Sequence, residues 1–217
     1  PCAWPSRRTP HEPAVPVLPS AARGGSGRGR RRAPPGRRAG RGVKGRARVV
    51  AHLSDLHFGR DRPELLEPLL DALRAAEPDL VAVSGDLTQR ARHAQFRAAR
   101  AFLDRLPAPA LVVPGNHDTP LDHLALRLAR PWSRWRRWIG PEPAPRVAQP
   151  GLVAVGINTA NPLDWRRGRF RKRDVAEAAR IFERAGGAAK IVVLHHPLLH
   201  GPTARGAPMR GAARALD

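Results

Sequence analysis

"ALVVPGNHD" (residues 110–118) passes from four apolar residues through a Pro-Gly turn into an amide, an imidazole and a carboxylate in succession. A run this short and this rich in Val and Leu has the length of a buried strand, and Pro114 with Gly115 ends it. The same texture recurs in "RVVAHLS" (48–54), "DLVAVSG" (79–85), "GLVAVGIN" (151–158) and "KIVVLHH" (190–196). Between the runs, Pro63 to Glu77 carries Leu65, Leu66, Leu69, Leu70 and Leu73 at helical spacing, with Pro63 suited to a first turn and Pro78 as the stop. His93 to Leu106 and Arg173 to Ala185 read as further amphipathic helices. Strands alternating with helices predict an α/β fold with right-handed crossovers in its first half, and ligands bind such sheets at the carboxyl ends of the strands.

The 217 residues suit one domain of ordinary size, with a core large enough to need no covalent staples. A single cysteine, Cys2, excludes an intrachain disulfide and a multi-thiolate metal site, which points to a cytoplasmic chain whose chemistry comes from His, Asp, Glu and Asn. No apolar run reaches the roughly 18–20 residues of a membrane span. The formal charge of +21 is uneven: residues 1–46 hold 12 Lys or Arg against Glu12 alone, a net of +11, leaving +10 for residues 47–217. The first 46 residues therefore read as a disordered Arg/Gly/Pro-rich basic tail, and residues 47–217 as the folded domain. Such a tail is suited to nucleic acid, yet Trp4 is its one aromatic, and the sequence opens on Pro1, so an incidental extension is the expected reading.

The strand ends carry the chemistry. The first runs into Asp55 and His57, the second into Asp86, the third into Asn116, His117 and Asp118, and the last into His195 and His196. A polar residue after a strand is ordinarily a turn former, but the conjunction is informative. Asp55 and Asp86 are 31 residues apart and Asp86 and Asn116 are 30 apart, one βα unit each, so successive motifs reach the same rim. Carboxylate, imidazole and amide oxygen without thiolate suit divalent Mn, Fe, Zn or Co rather than a structural zinc. Two such ions about 3.5–4 Å apart, joined by a carboxylate, acidify a bridging water to hydroxide and attract a phosphate ester.

The motifs "DLH" (55–57), "GDLT" (85–88), "GNHD" (115–118) and "HHP" (195–197) resemble, in order and spacing, those of the calcineurin-like metallophosphoesterase superfamily over about residues 47–200. The wording is most similar to the bacterial class III cyclic nucleotide phosphodiesterases. The resemblance implies a two-sheet sandwich flanked by helices, in α/β/β/α layers, and a hydrolase acting on phosphodiesters such as cyclic nucleotides. Asp55 and His57 then correspond to ligands of the first metal, Asp86 to the bridge, and Asn116 and His195 to ligands of the second. His117 corresponds to the uncoordinated histidine that stabilises the phosphoryl oxygens or protonates the leaving group, with Asp118 orienting its ring. A nuclease of the same superfamily, or a non-catalytic nucleic-acid-binding module using the basic tail, are the alternatives. Protein phosphatases fit less well, because their Gly-Asp motif continues Val-Asp-Arg-Gly where this chain reads Leu87-Thr88-Gln89-Arg90. The family pattern closes with a Gly-His-x-His motif some tens of residues beyond the position of His195, and His200 follows too closely to supply it. The expectation is a domain lacking its C-terminal part, one protein ligand short at each metal, with weak metal binding and slow turnover.

Other residues have plainer expectations. His52 is read as a core or sheet-face residue, His93 and His123 as surface residues, and His196 as pointing away from His195. Gln89 and Arg90 are expected at a solvated helix start. In "RPWSRWRRWIG" (130–140), Trp132, Trp135 and Trp138 should pack on the core from a short helix while the arginines between them stay in water. The polar stretch "NTANPLDWRRGRF" (158–170) should shape the pocket from the same rim.

Overall fold

The computed structural model describes residues 47–164, 167–199 and 209–216. The basic tail and His200 lie outside them. Short, largely apolar runs form β1 (Val50–Leu53), β2 (Leu80–Val83) and β3 (Ala110–Val112), all parallel in the order β1-β2-β3. The crossovers are α1 (Leu66–Ala76), entered through a 3-10 turn at Pro63–Leu65, and α2 (His93–Leu103). Beyond β3, the 3-10 turn Asn116–Asp118 leads to α3 (Leu124–Ala129) and α4 (Ser133–Trp138). A second sheet has the order β4-β5-β6: β4 (Arg146–Gln149) pairs antiparallel with β5 (Leu152–Gly156), which pairs parallel with β6 (Ala189–Val193). Its crossover is α5 (Lys172–Glu183).

Burial defines four layers. Leu80, Ala82, Leu111 and Val113 of the first sheet meet Leu152, Ala154 and Val193 of the second. Gly156 is the closest point of this contact: a Cβ there would lie 2.7 Å from Val113 Cγ1 and 2.9 Å from the Pro145 carbonyl. The opposite face of the first sheet, Val81, Val83 and Val112, packs on Leu70 of α1, Phe96, Ala99 and Phe102 of α2 and Trp135 of α4. Val155 and Ile157 continue the outer face of the second sheet against Ala178 of α5, with Phe170 and Met209. This is the expected α/β/β/α sandwich. No helix among the described residues is long and apolar enough to cross a membrane.

The strands are shorter than the apolar runs suggest because the chain turns sharply after each. Asp55, His57 and Asp86 all have positive φ (56°, 45° and 52°), a left-handed conformation costly for non-glycine residues. The ladder nonetheless continues through them: Asp55 N donates to Gly85 O (3.1 Å), His57 N to Asp86 O (2.9 Å) and Phe58 N to Leu87 O (2.8 Å). The tryptophan segment packs as expected. Trp135 is fully buried and meets Phe96 edge-on with ring centroids 6.2 Å apart, and Trp138 Nε1 donates to His93 Nδ1 (2.9 Å). Arg134 differs from expectation, since its side chain is only 13% exposed.

Candidate metal centre

The parallel ladder sets Asp55, His57 and Asp86 side by side, and two glycines let the third and fourth motifs close on them. A Cβ on Gly115 would lie 2.0 Å from Asp86 Oδ1, and one on Gly85, itself at φ +97°, would lie 2.7 Å from Gly115 N and 2.9 Å from His195 Nδ1. Only hydrogen at both positions permits this approach. His195 arrives from the end of β6 and is fixed by Nδ1, 2.8 Å from the Ser84 carbonyl. A carbonyl only accepts, so Nδ1 carries the proton and Nε2 presents a lone pair.

That lone pair faces Asn116 Oδ1 at 3.1 Å and Asp86 Oδ2 at 3.5 Å. Asp86 Oδ2 is also 3.8 Å from His57 Nε2, which in turn lies 3.6 Å from Asp55 Oδ1. The other oxygen, Asp86 Oδ1, is occupied by the His117 backbone N–H at 2.9 Å. One oxygen of one buried carboxylate thus looks toward both histidines. Ligand atoms about 2.0–2.2 Å from a metal stand roughly 3.0–3.5 Å from one another, which is close to the spacing seen. Acceptors gathered this way repel unless a cation sits among them, so the donor set fits divalent metal. Among the described residues, Asp55, Asp86 and His195 form a group whose ligand atoms all lie within 4.8 Å of one another. Asp55 is the open side, 54% exposed, with Ser54 Oγ donating to its Oδ2.

His117 and Asp118 complete the picture with one change. The two histidine rings, His57 and His117, meet edge-on with centroids 5.0 Å apart. The His117 ring is held by its Nδ1, 2.9 Å from the backbone carbonyl of Gln89, where a carboxylate partner from Asp118 was expected. Asp118 has another task. Its Oδ2 accepts from Leu87 N (3.1 Å) and Gly115 N (3.0 Å), and its Oδ1 from Thr88 N and Thr88 Oγ1 (both 2.9 Å). It ties the "GDLT" and "GNHD" turns together from inside, because the 3-10 geometry of Asn116–Asp118 turns its side chain inward. Burial and the neighbouring Asp86 charge push its carboxyl up to about 6, against the lowering effect of these hydrogen bonds.

The remaining described histidines have structural partners. His52 Nε2 meets Ser84 Oγ at 2.8 Å, and His123 accepts from Leu126 N as the cap of α3. His196 turns away from the site into the protein, where Nδ1 meets Thr159 Oγ1 at 2.9 Å. Gly168 lies flat on its ring: a Cβ there would be 2.3 Å from His196 Cγ. The described part of the 158–170 stretch is therefore anchored beside the site by Thr159 and Gly168. Gln89 was read as part of a solvated helix start, and residue type alone carries no signal for the role of its backbone carbonyl.

A two-sheet sandwich with nitrogen and oxygen donors gathered where strand ends of both sheets meet has the arrangement of a metal site. A family model described as Calcineurin-like phosphoesterase matches residues 48–216, and the chain belongs to that family. Among its relatives is a glycerophosphodiester phosphodiesterase of Enterobacter lignolyticus, 35% identical over 32% of this chain and 29% of that protein. Another, from Synechococcus, is named a "probable cyclic nucleotide phosphodiesterase" and is 32% identical over 33% of this chain and 31% of its own. The matched segments span less than a third of either relative. The crystal structure of a phosphopantetheinyl hydrolase from Mycobacterium tuberculosis aligns with 70% of this chain and 69% of its own, at 20% identity and a TM-score of 0.40.

Proposed function

We propose that this protein hydrolyses phosphodiesters, 3′,5′-cyclic nucleotides among them, at a centre for two divalent ions. Asp55 and His57 would hold one ion, Asn116 and His195 the other, with Asp86 shared. The observation that carries this reading is the single oxygen, Asp86 Oδ2, that faces His57 Nε2 and His195 Nε2 from one buried carboxylate. Bound ions would supply the charge that draws in a phosphate ester and the acidity that readies a water for attack on phosphorus. The chain's own groups do the rest. Asp86 keeps Oδ1 on the His117 backbone and Oδ2 for the centre. His117, with its Nδ1 proton committed to the Gln89 carbonyl, turns Nε2 to the departing oxygen and, in its doubly protonated form, delivers the second proton from there. The diester class is supported by the names of both relatives, which differ in the alcohol they mention and agree on a phosphate with two ester links.

The test is hydrolysis of bis-p-nitrophenyl phosphate with added Mn, alongside Mn binding by calorimetry. Asp86→Ala should abolish turnover and weaken Mn binding; His117→Ala should lower turnover by roughly 10²–10⁴-fold while leaving Mn binding intact. Turnover that survives Asp86→Ala would refute the shared-carboxylate assignment.

A further inference from the structure

We infer that Arg134, on the outer helix α4, is a positioning residue for His117. Arg134 Nη1 donates to the Ala91 carbonyl and to Asp122 Oδ1, both at 3.0 Å. Ala91 closes the turn that begins at Thr88, and Asp122 lies four residues beyond the "GNHD" turn. One guanidinium therefore joins from outside the two loops that Asp118 joins from inside.

The turn needs such a clasp. Ala91 is fully buried at φ 51°, which a residue with a Cβ adopts only when its surroundings enforce it. Its N–H goes to Thr88 Oγ1 (3.0 Å), and that hydroxyl donates in turn to Asp118 Oδ1. Its carbonyl goes to Arg134. Within this turn sits Gln89, whose carbonyl takes the His117 Nδ1 proton at 2.9 Å; the Gln89 side-chain amide, 3.4 Å from the same nitrogen, is the weaker contact. Releasing Ala91 frees the carbonyl two residues earlier, and with it the constraint that assigns the ring proton to Nδ1.

The base of the clasp is firm. Trp135 is buried against Phe96, Trp138 bonds His93, and Arg100 donates to the Ile139 carbonyl (3.4 Å), so α4 is pinned on α2 at three places around Arg134. Lysine could not substitute. Both bonds leave the one Nη1 atom, and a lysine Nζ ends one bond short of that position on a more flexible stem. This role rests on the proposed function of His117 only for its effect on rate; the ring geometry stands separately.

The experiment reads the ring directly, by histidine ¹⁵N NMR on the full chain without added metal, with the His117 signal assigned from its loss in His117→Ala. The expected wild-type signal is that of a ring protonated at Nδ1. Arg134→Met should shift it to a mixture of both neutral tautomers. With Mn and bis-p-nitrophenyl phosphate, Arg134→Met should lower kcat roughly tenfold to a hundredfold with little change in KM, and should cost nothing further in a His117→Ala background. Should Arg134→Met fail to fold, Arg134→Lys, which keeps the charge and the stem, carries the same readouts. A folded Arg134 variant that retains the wild-type His117 signal overturns the inference, as does a rate loss that persists in full in the His117→Ala background. Absence of turnover in the wild type would sink the hydrolytic reading and leave the NMR comparison to decide the role of Arg134.

Discussion

Asp118 has no exposed surface, and both of its oxygens are taken up by three backbone N–H groups and one hydroxyl. Asp118→Asn would turn an amide NH₂ toward two of these buried donors, which should cost about 1–3 kcal/mol; an unchanged urea midpoint would contradict this. His196 offers a prediction with pH. Burial, with His195 adding to it, pushes its imidazole down to about 4, against an ordinary value of 6.5. The folded chain then binds fewer protons than the unfolded one between those values. The stability His196 contributes is present above pH 6.5 and is lost as pH falls toward 4. Asp118, raised from 3.8 to about 6, has the opposite sign, favouring the folded state as pH falls through that window. Comparison with His196→Asn separates the two: the substitution should cost less unfolding free energy at pH 5 than at pH 7, and equal costs would refute the assignment.

At the scale of elements, the site depends on how closely turns approach. Gly115 has φ −98°, open to any residue, so its restriction is purely one of space. Gly115→Ala drives a methyl into Asp86 Oδ1, and the expected result is a folded protein with Mn affinity reduced at least tenfold by calorimetry. Trp135→Ala empties the largest fully buried side chain among the described residues and should cost about 3–5 kcal/mol, a fall in Tm on the order of 10 °C for a domain of this size. Much of this was legible beforehand. Five strands and three long helices announce themselves through apolar period and Pro or Gly stops, and the 30-residue spacing of Asp55, Asp86 and Asn116 places them on one edge. β4 was not foreseen, because "RVAQ" is a short strand with Arg146 exposed and Gln149 half-buried, and its pattern is too brief to stand out. Nor were the tasks of Asp118, Gln89 and Arg134, which depend on where a 3-10 turn and a left-handed alanine aim particular atoms. Residue type says what a group can bind; only the backbone path says what it meets.

For the whole molecule, the donor atoms come from both sheets: Asp55, His57, Asp86 and Asn116 follow strands of the first, and His195 follows β6 of the second. A metal held by this set binds the folded chain in preference to the unfolded one, so Mn should raise Tm. At a hundred times its Kd the added stability is about 2.7 kcal/mol. Calorimetric scans with and without Mn check this, and an equal rise in Asp86→Ala would place the ion elsewhere. If Asp86 serves two ions as proposed, the chain order of the donors has a kinetic consequence. Asp55, Asp86 and Asn116 are joined by short βα units that close early as a chain folds, whereas His195 lies 79 residues past Asn116 and comes into place only when β6 has paired and the sheets have met. Until then Asp86 can serve one side of the centre and not the other. On the proposed two-ion assignment, the order of ion uptake would follow the chain order of the ligands, and a newly made molecule should take up its first ion before its second sheet has docked.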